Sequence, residues 1–110
     1  MNRFGLIDKT PIPFESHFEN QEENIKQLLI YLRDYVKSLG DNVIEEVRPH
    51  RIVYAKSLSF RYFLDIQPRK DNLIIAIKKN RKMSATECTI KSIQELDHIK
   101  SDILEGYTKI

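Results

Sequence analysis

The chain has one cysteine, three glycines and no tryptophan among its 110 residues. A lone Cys88 can form no disulfide within the chain and anchors no cysteine zinc cluster. Gly5, Gly40 and Gly106 stand too far apart to build a phosphate-cradling loop. His17, His50 and His98 lack HExxH or any comparable metal spacing, so neither a metal nor a cofactor is expected. No run reaches the roughly 18 apolar residues of a membrane helix. The opening MNRFGLIDKTPIPFE carries acids and prolines where a signal peptide would carry an apolar core. The expectation is a cytoplasmic protein with no membrane partner.

What is present is a folding composition, 41% apolar and 31% charged, with length for one domain and a modest core. The net charge of +2 hides a segregation. From Met1 to Val47 there are five Lys/Arg against nine Asp/Glu. From Arg48 to Lys82 there are ten against two, and from Met83 to Ile110 three against five. A basic middle between acidic flanks can mark a polyanion surface, or acidic helices packed near a basic sheet.

Residues 1–19 read as an irregular arm. Pro11 and Pro13 exclude a helix interior or central strand, while Phe4, Leu6, Ile7, Phe14 and Phe18 are too apolar for a free tail. Residues 20–110 read as a single α+β domain. Asn20 and Glu23 form a capping-box pattern. Ile25, Leu28, Leu29, Leu32, Tyr35, Val36 and Leu39 follow at helical spacing, with Lys26, Arg33, Asp34 and Lys37 on the solvated side. Gly40 supplies a left-handed stop. Asp41–Pro49 fits either a helical turn or an edge strand.

Arg51–Lys56 predicts a strand, Ser57-Leu58-Ser59 a tight connection, and Phe60–Gln67 a half-buried strand. Strict alternation there puts Phe60, Tyr62, Leu64 and Ile66 inward and Arg61, Phe63, Asp65 and Gln67 outward. Pro68 ends it, and Arg69-Lys70-Asp71-Asn72 makes the turn. Leu73–Lys79 predicts a third strand and Glu87–Lys91 a fourth, with a polar loop between them. Ser92 and Glu95 form a capping box before a last helix with Leu96, Ile99, Ile103 and Tyr107 on one face. The expected architecture is an antiparallel three- to four-stranded meander with an N-terminal and a C-terminal helix packed on one face.

Catalytic patterns are scarce. Asp65-Ile66-Gln67-Pro68-Arg69-Lys70 resembles a restriction-nuclease acid–acid-x-lysine set only loosely, because Gln67 replaces the second acid and the lysine spacing differs. Cys88 reads as a small buried apolar residue. The candidate site is a polyanion-binding set: Arg48, Arg51, Lys56, Arg61, Phe63, Arg69, Lys70, Lys78, Lys79, Arg81 and Lys82. Phe63 is its one aromatic, placed to stack a base among cations as single-strand binders do.

These strands also carry a family resemblance. Leu39-Gly40, Glu45-Glu46-Val47, Tyr54-Ala55-Lys56, Phe60 or Phe63, Pro68-Arg69-Lys70 and Tyr107 fall in the order seen in the domain of unknown function 5655 family. Residues 21–110 resemble that module, and the chain departs from it at Asn80–Thr86, where members commonly carry a longer insertion with glycine and histidine. The family is found beside DNA-cleaving and restriction-type modules, which implies an accessory role linked to nucleic acid. Some members are labelled transport proteins, a role for which this chain shows no membrane segment. The resemblance brings over no catalytic residue.

The leading expectation is a non-catalytic binding module using a basic sheet face on nucleic acid or another polyanion. The first alternative is a protein–protein or dimerisation domain whose open face meets a second chain, in which Phe63→Ser weakens assembly without unfolding the monomer. The second is an enzyme or small-ligand sensor with a site between sheet and arm around Arg51, Tyr54 and Lys56.

Overall fold

The computed structural model describes residues 12–57 and 61–110. Phe4, Leu6, Ile7, the Leu58-Ser59 connection and the inward assignment of Phe60 lie outside the described residues. The remainder is an α+β fold. A turn of 3-10 helix at Phe14–Phe18 leads to helix α1 (Glu23–Lys37) and then five strands. These are β1 (Val43–Val47), β2 (Ile52–Lys56), β3 (Arg61–Pro68), β4 (Leu73–Ile77) and β5 (Thr86–Ile90); helix α2 (Ile93–Lys109) follows. All neighbours pair antiparallel in the order β1-β2-β3-β4-β5.

The apolar stripe of α1 performs as its spacing requires: Ile25, Leu28, Leu29, Leu32 and Val36 are fully buried. They share one core with Ile52, Tyr54, Leu64, Ile66, Leu73, Ile75 and Ile77 of the sheet and Leu96 and Ile103 of α2. The Tyr35 hydroxyl donates to the Lys100 carbonyl at 3.0 Å and ties the helices together. Ser92 caps α2 by accepting the Glu95 N–H at 3.2 Å, while the Glu95 carboxylate accepts the Lys91 N–H at 2.7 Å.

The start and stop of α1 differ from expectation. Asn20 does not cap; it sits at φ 65°, a left-handed conformation that Asn tolerates, and the helix begins three residues later with no side-chain cap. At the other end α1 stops at Lys37, with the Ser38 N–H closing on the Asp34 and Tyr35 carbonyls. Gly40 serves a close approach instead. A Cβ there would overlap the Tyr107 hydroxyl, which hydrogen-bonds Asn42. Arg33, expected in solvent, turns back to β1.

The sheet has five strands where three or four were expected, because Val43–Val47 is a full edge strand registered from Val43↔Lys56 to Val47↔Ile52. Its inward positions read Val43, Glu45, Val47. A carboxylate in the middle of the buried set is what obscured the period of two.

A second difference lies in β3. Tyr54 pairs with Leu64, but Ala55 pairs with Tyr62, so Phe63 is an extra residue opposite β2. A bulge of this kind resets the alternation. Leu64 and Ile66 face inward as expected, yet Phe63 is also fully buried and Tyr62 is exposed. The Phe63 ring packs edge-on against Tyr107 at 5.6 Å, and its carbonyl accepts the Lys78 N–H at 3.0 Å. Burying this ring is worth about 2 kcal/mol or more, enough to outweigh local irregularity in the ladder.

Candidate polyanion-binding site

The expected cations do not form one face. Among the described residues three are seen engaged with carboxylates. Arg48 meets Glu46 at 3.0 Å, Arg51 meets Asp65 at 2.7 Å, and Lys79 meets Asp102 of α2 at 2.9 Å. Hydrogen bonds from Arg48 and Tyr62 hold the Glu46 carboxyl below the usual carboxylate range. The hydrogen bond to Asp102 raises the Lys79 ammonium. Lys56 lies over the Tyr107 ring at 5.2 Å. Arg61 opens β3 beside Lys78 and Ile110, along a shallow depression of about 300 Å³. Phe63, the expected stacker, is in the core and touches no solvent.

Antiparallel topology sorts the rest by sheet end. The β1–β2 and β3–β4 turns lie at one end; the β2–β3 and β4–β5 connections lie at the other. Arg69 and Lys70 therefore sit at the first end, and Lys78, Arg81 and Lys82 at the second. Among the described residues none of these five has a carboxylate within ion-pair distance. The ends are separated by the length of β3, about 25 Å for eight residues.

The first end is concave. Three segments that are remote in sequence converge there: residues 16–21 entering α1, the Pro49-His50 turn, and the end of β3 with Arg69 and Lys70. They enclose an open cleft of about 540 Å³. Hydrogen bonds hold its walls together. His17 Nε2 donates to the Arg48 carbonyl at 2.7 Å, which places the proton on that nitrogen because a carbonyl only accepts. Gln21 Nε2 donates to the Arg69 carbonyl at 3.0 Å, and the Glu22 N–H to the Lys70 carbonyl at 3.0 Å. His17 is buried, anchored with Phe14 against the core edge, while His50, Arg69 and Lys70 are exposed. Among the described residues Glu19 is the only carboxylate on the lining.

His17 and His50 do not stand out in the sequence, where 33 positions separate them. The usable signal is topological: alternate turns of a meander share an end, so Pro49-His50 and Arg69-Lys70 meet only once β1 is counted as a strand.

The expected ligand-sensor set does not converge. Arg51 is paired on the open sheet face, Tyr54 is buried, and Lys56 lies at the opposite end of β2. Burial raises the Cys88 thiol above its usual value, so it stays protonated near neutrality. No group of three His, Cys, Asp or Glu suited to a metal ion occurs among the described residues. Nor is any described helix long and apolar enough to cross a membrane.

No family model, curated protein or solved structure matches the chain.

Proposed function

We propose that this chain is a non-catalytic binding module for nucleic acid or a closely similar polyanion. The observation that carries the reading is the set of five cations without ion-pair partners among the described residues, Arg69 and Lys70 at one sheet end and Lys78, Arg81 and Lys82 at the other. Free cations are available to phosphates at no cost in broken salt bridges. Between the ends, Tyr62 takes the place expected of Phe63. It is 44% exposed, and Arg48 and Glu46 steady its hydroxyl, at 2.7 and 2.9 Å respectively. Arg48 lies over the ring at 5.3 Å, and the exposed remainder is where one unpaired base would stack. The resemblance to the domain of unknown function 5655 family, with its neighbouring DNA-cleaving modules, supports the same role.

The test is a salt titration of binding to a labelled single strand. Contact with five phosphates gives a slope of log K against log salt near −3.5, from about −0.7 per phosphate. Absence of binding to single and double strands at about 50 mM salt overturns the proposal.

The protein-interaction alternative is less favoured by the open face. Val53 and Ala55, at its centre, are only 2% and 3% exposed, and the Arg51–Asp65 and Arg48–Glu46 ion pairs lie beside them, so a second chain would meet a largely polar centre there.

A further inference from the structure

We infer that the end cleft is a phosphomonoester site that receives the terminal phosphate of a nucleic-acid strand. The inference deepens the polyanion reading and rests on it.

Charge is the first argument. Among the described residues Arg69 and Lys70 lie on the lining without carboxylate partners, the His17 and His50 rings stand beside them, and Glu19 is the one carboxylate. An internal phosphodiester brings one negative charge, whereas a terminal monoester brings between 1.5 and 2 at neutral pH, about the same as a phosphorylated side chain. Arg69 offers a planar fork of donors and Lys70 a compact ammonium, the pairing suited to several oxygens on one phosphorus.

Shape is the second. A volume of about 540 Å³ falls within the usual range of small-ligand sites, roughly 300–1,000 Å³. The cleft is bounded by three separate chain segments, so its donors converge on one point and are not spread along a strand's path.

Preorganisation is the third. The His17–Arg48, Gln21–Arg69 and Glu22–Lys70 hydrogen bonds fix the walls before any ligand arrives, so little ordering remains to be done on binding. One polar atom on the lining, Gln21 Oε1, is buried without a hydrogen-bond partner among the described residues; as an acceptor it answers a donor on the ligand, not an ionised phosphate oxygen. Asn20, within the first of these segments, holds a left-handed φ of 65° and lies on the lining.

The experiment compares one single-stranded oligonucleotide with a 5′-phosphate, with a 3′-phosphate, and with hydroxyls at both ends, by fluorescence anisotropy. Adenosine 5′-monophosphate and a phosphoserine peptide are added as competitors. The wild-type chain should prefer one phosphorylated end by about tenfold, the equivalent of one good charge-assisted contact. R69Q/K70Q should remove the preference, with circular dichroism confirming the fold. K78Q/R81Q/K82Q at the far end should weaken all three oligonucleotides alike and keep it. Equal affinity for all three overturns the terminal-phosphate site while leaving the polyanion reading intact. If no oligonucleotide binds but the mononucleotide does, and R69Q/K70Q abolishes that binding, the polyanion reading falls, and the strand-terminus assignment with it. A phosphoserine peptide competing as well as the mononucleotide also overturns the assignment to nucleic acid.

Discussion

Arg33 of α1 forks onto Glu45 of β1, with Nε on Oε2 at 2.9 Å and Nη2 on Oε1 at 3.0 Å. Glu45 is the inward carboxylate of an edge strand, and it also accepts the Tyr54 hydroxyl at 2.7 Å. Lys37 adds a longer contact at 3.5 Å. One carboxylate thus joins helix, edge strand and core tyrosine, and it is acceptable at an inward position because both of its oxygens are hydrogen-bonded and its charge is paired.

A pH dependence follows from this junction. Burial pushes the Glu45 carboxyl upward, but the hydrogen bonds from Arg33 and Tyr54 together outweigh burial and hold it below the ordinary value of 4.5. The folded carboxylate therefore keeps its charge to lower pH than the unfolded one. Its contribution is fully present above pH 4.5 and is lost as the pH falls through the lowered folded value. Glu45→Gln should cost about 2 kcal/mol at pH 7, the scale of a hydrogen bond to a charged group. Urea denaturation at pH 7 and in acid checks both parts: the variant should lose less stability than wild type on acidification.

Phe63 and Tyr62 are adjacent and should behave oppositely. Phe63→Ser empties a core site and should cost about 3–5 kcal/mol, on the scale of a buried Phe cut to Ala. This reverses the expectation, drawn from strict alternation, that the substitution spares the monomer. Tyr62→Ala should change stability by less than about 1 kcal/mol but weaken single-strand binding by about 1–3 kcal/mol, the worth of one stacked base. Urea curves and anisotropy on the two variants separate the roles. A stable Phe63→Ser chain would contradict the bulge.

Gly106 is where α2 crosses the sheet end. A Cβ there would lie 2.7 Å from the Lys78 carbonyl oxygen, which is backbone and cannot swing aside. In an open helix Gly→Ala stabilises by up to about 1 kcal/mol. Here overpacking should reverse the sign, at a cost of about 1–3 kcal/mol. The melting temperature should fall by several degrees. A rise would show that α2 can lift off β4 without loss.

Asp65 restrains Arg51 on the open face at 2.7 Å, with both side chains partly exposed. Such a pair contributes only about 0.2–1 kcal/mol to stability. Asp65→Asn should therefore leave the fold nearly unchanged while releasing a cation. Affinity for nucleic acid should rise and the salt slope should steepen by about 0.7 to 0.9, one additional phosphate contact. Unchanged affinity would place the ligand away from the open face.

The chain itself determined the α+β class, the α1 stripe, the Ser92–Glu95 cap, and the antiparallel order of β2 to β5, because these follow from local spacing of apolar side chains and from turn chemistry. Three things were settled only by tertiary structure. β1 became a strand because Arg33, Lys37 and Tyr54, from elsewhere in the chain, could neutralise and bond Glu45. The upper half of β3 changed face because Tyr107, 44 positions away, gave Phe63 a ring to pack on. His17, His50, Arg69 and Lys70 came to one cleft because an antiparallel sheet returns alternate turns to the same end. Periodicity reports what a residue's neighbours in sequence require. Its partners across the fold decide the exceptions, and here the exceptions are where the candidate site lies.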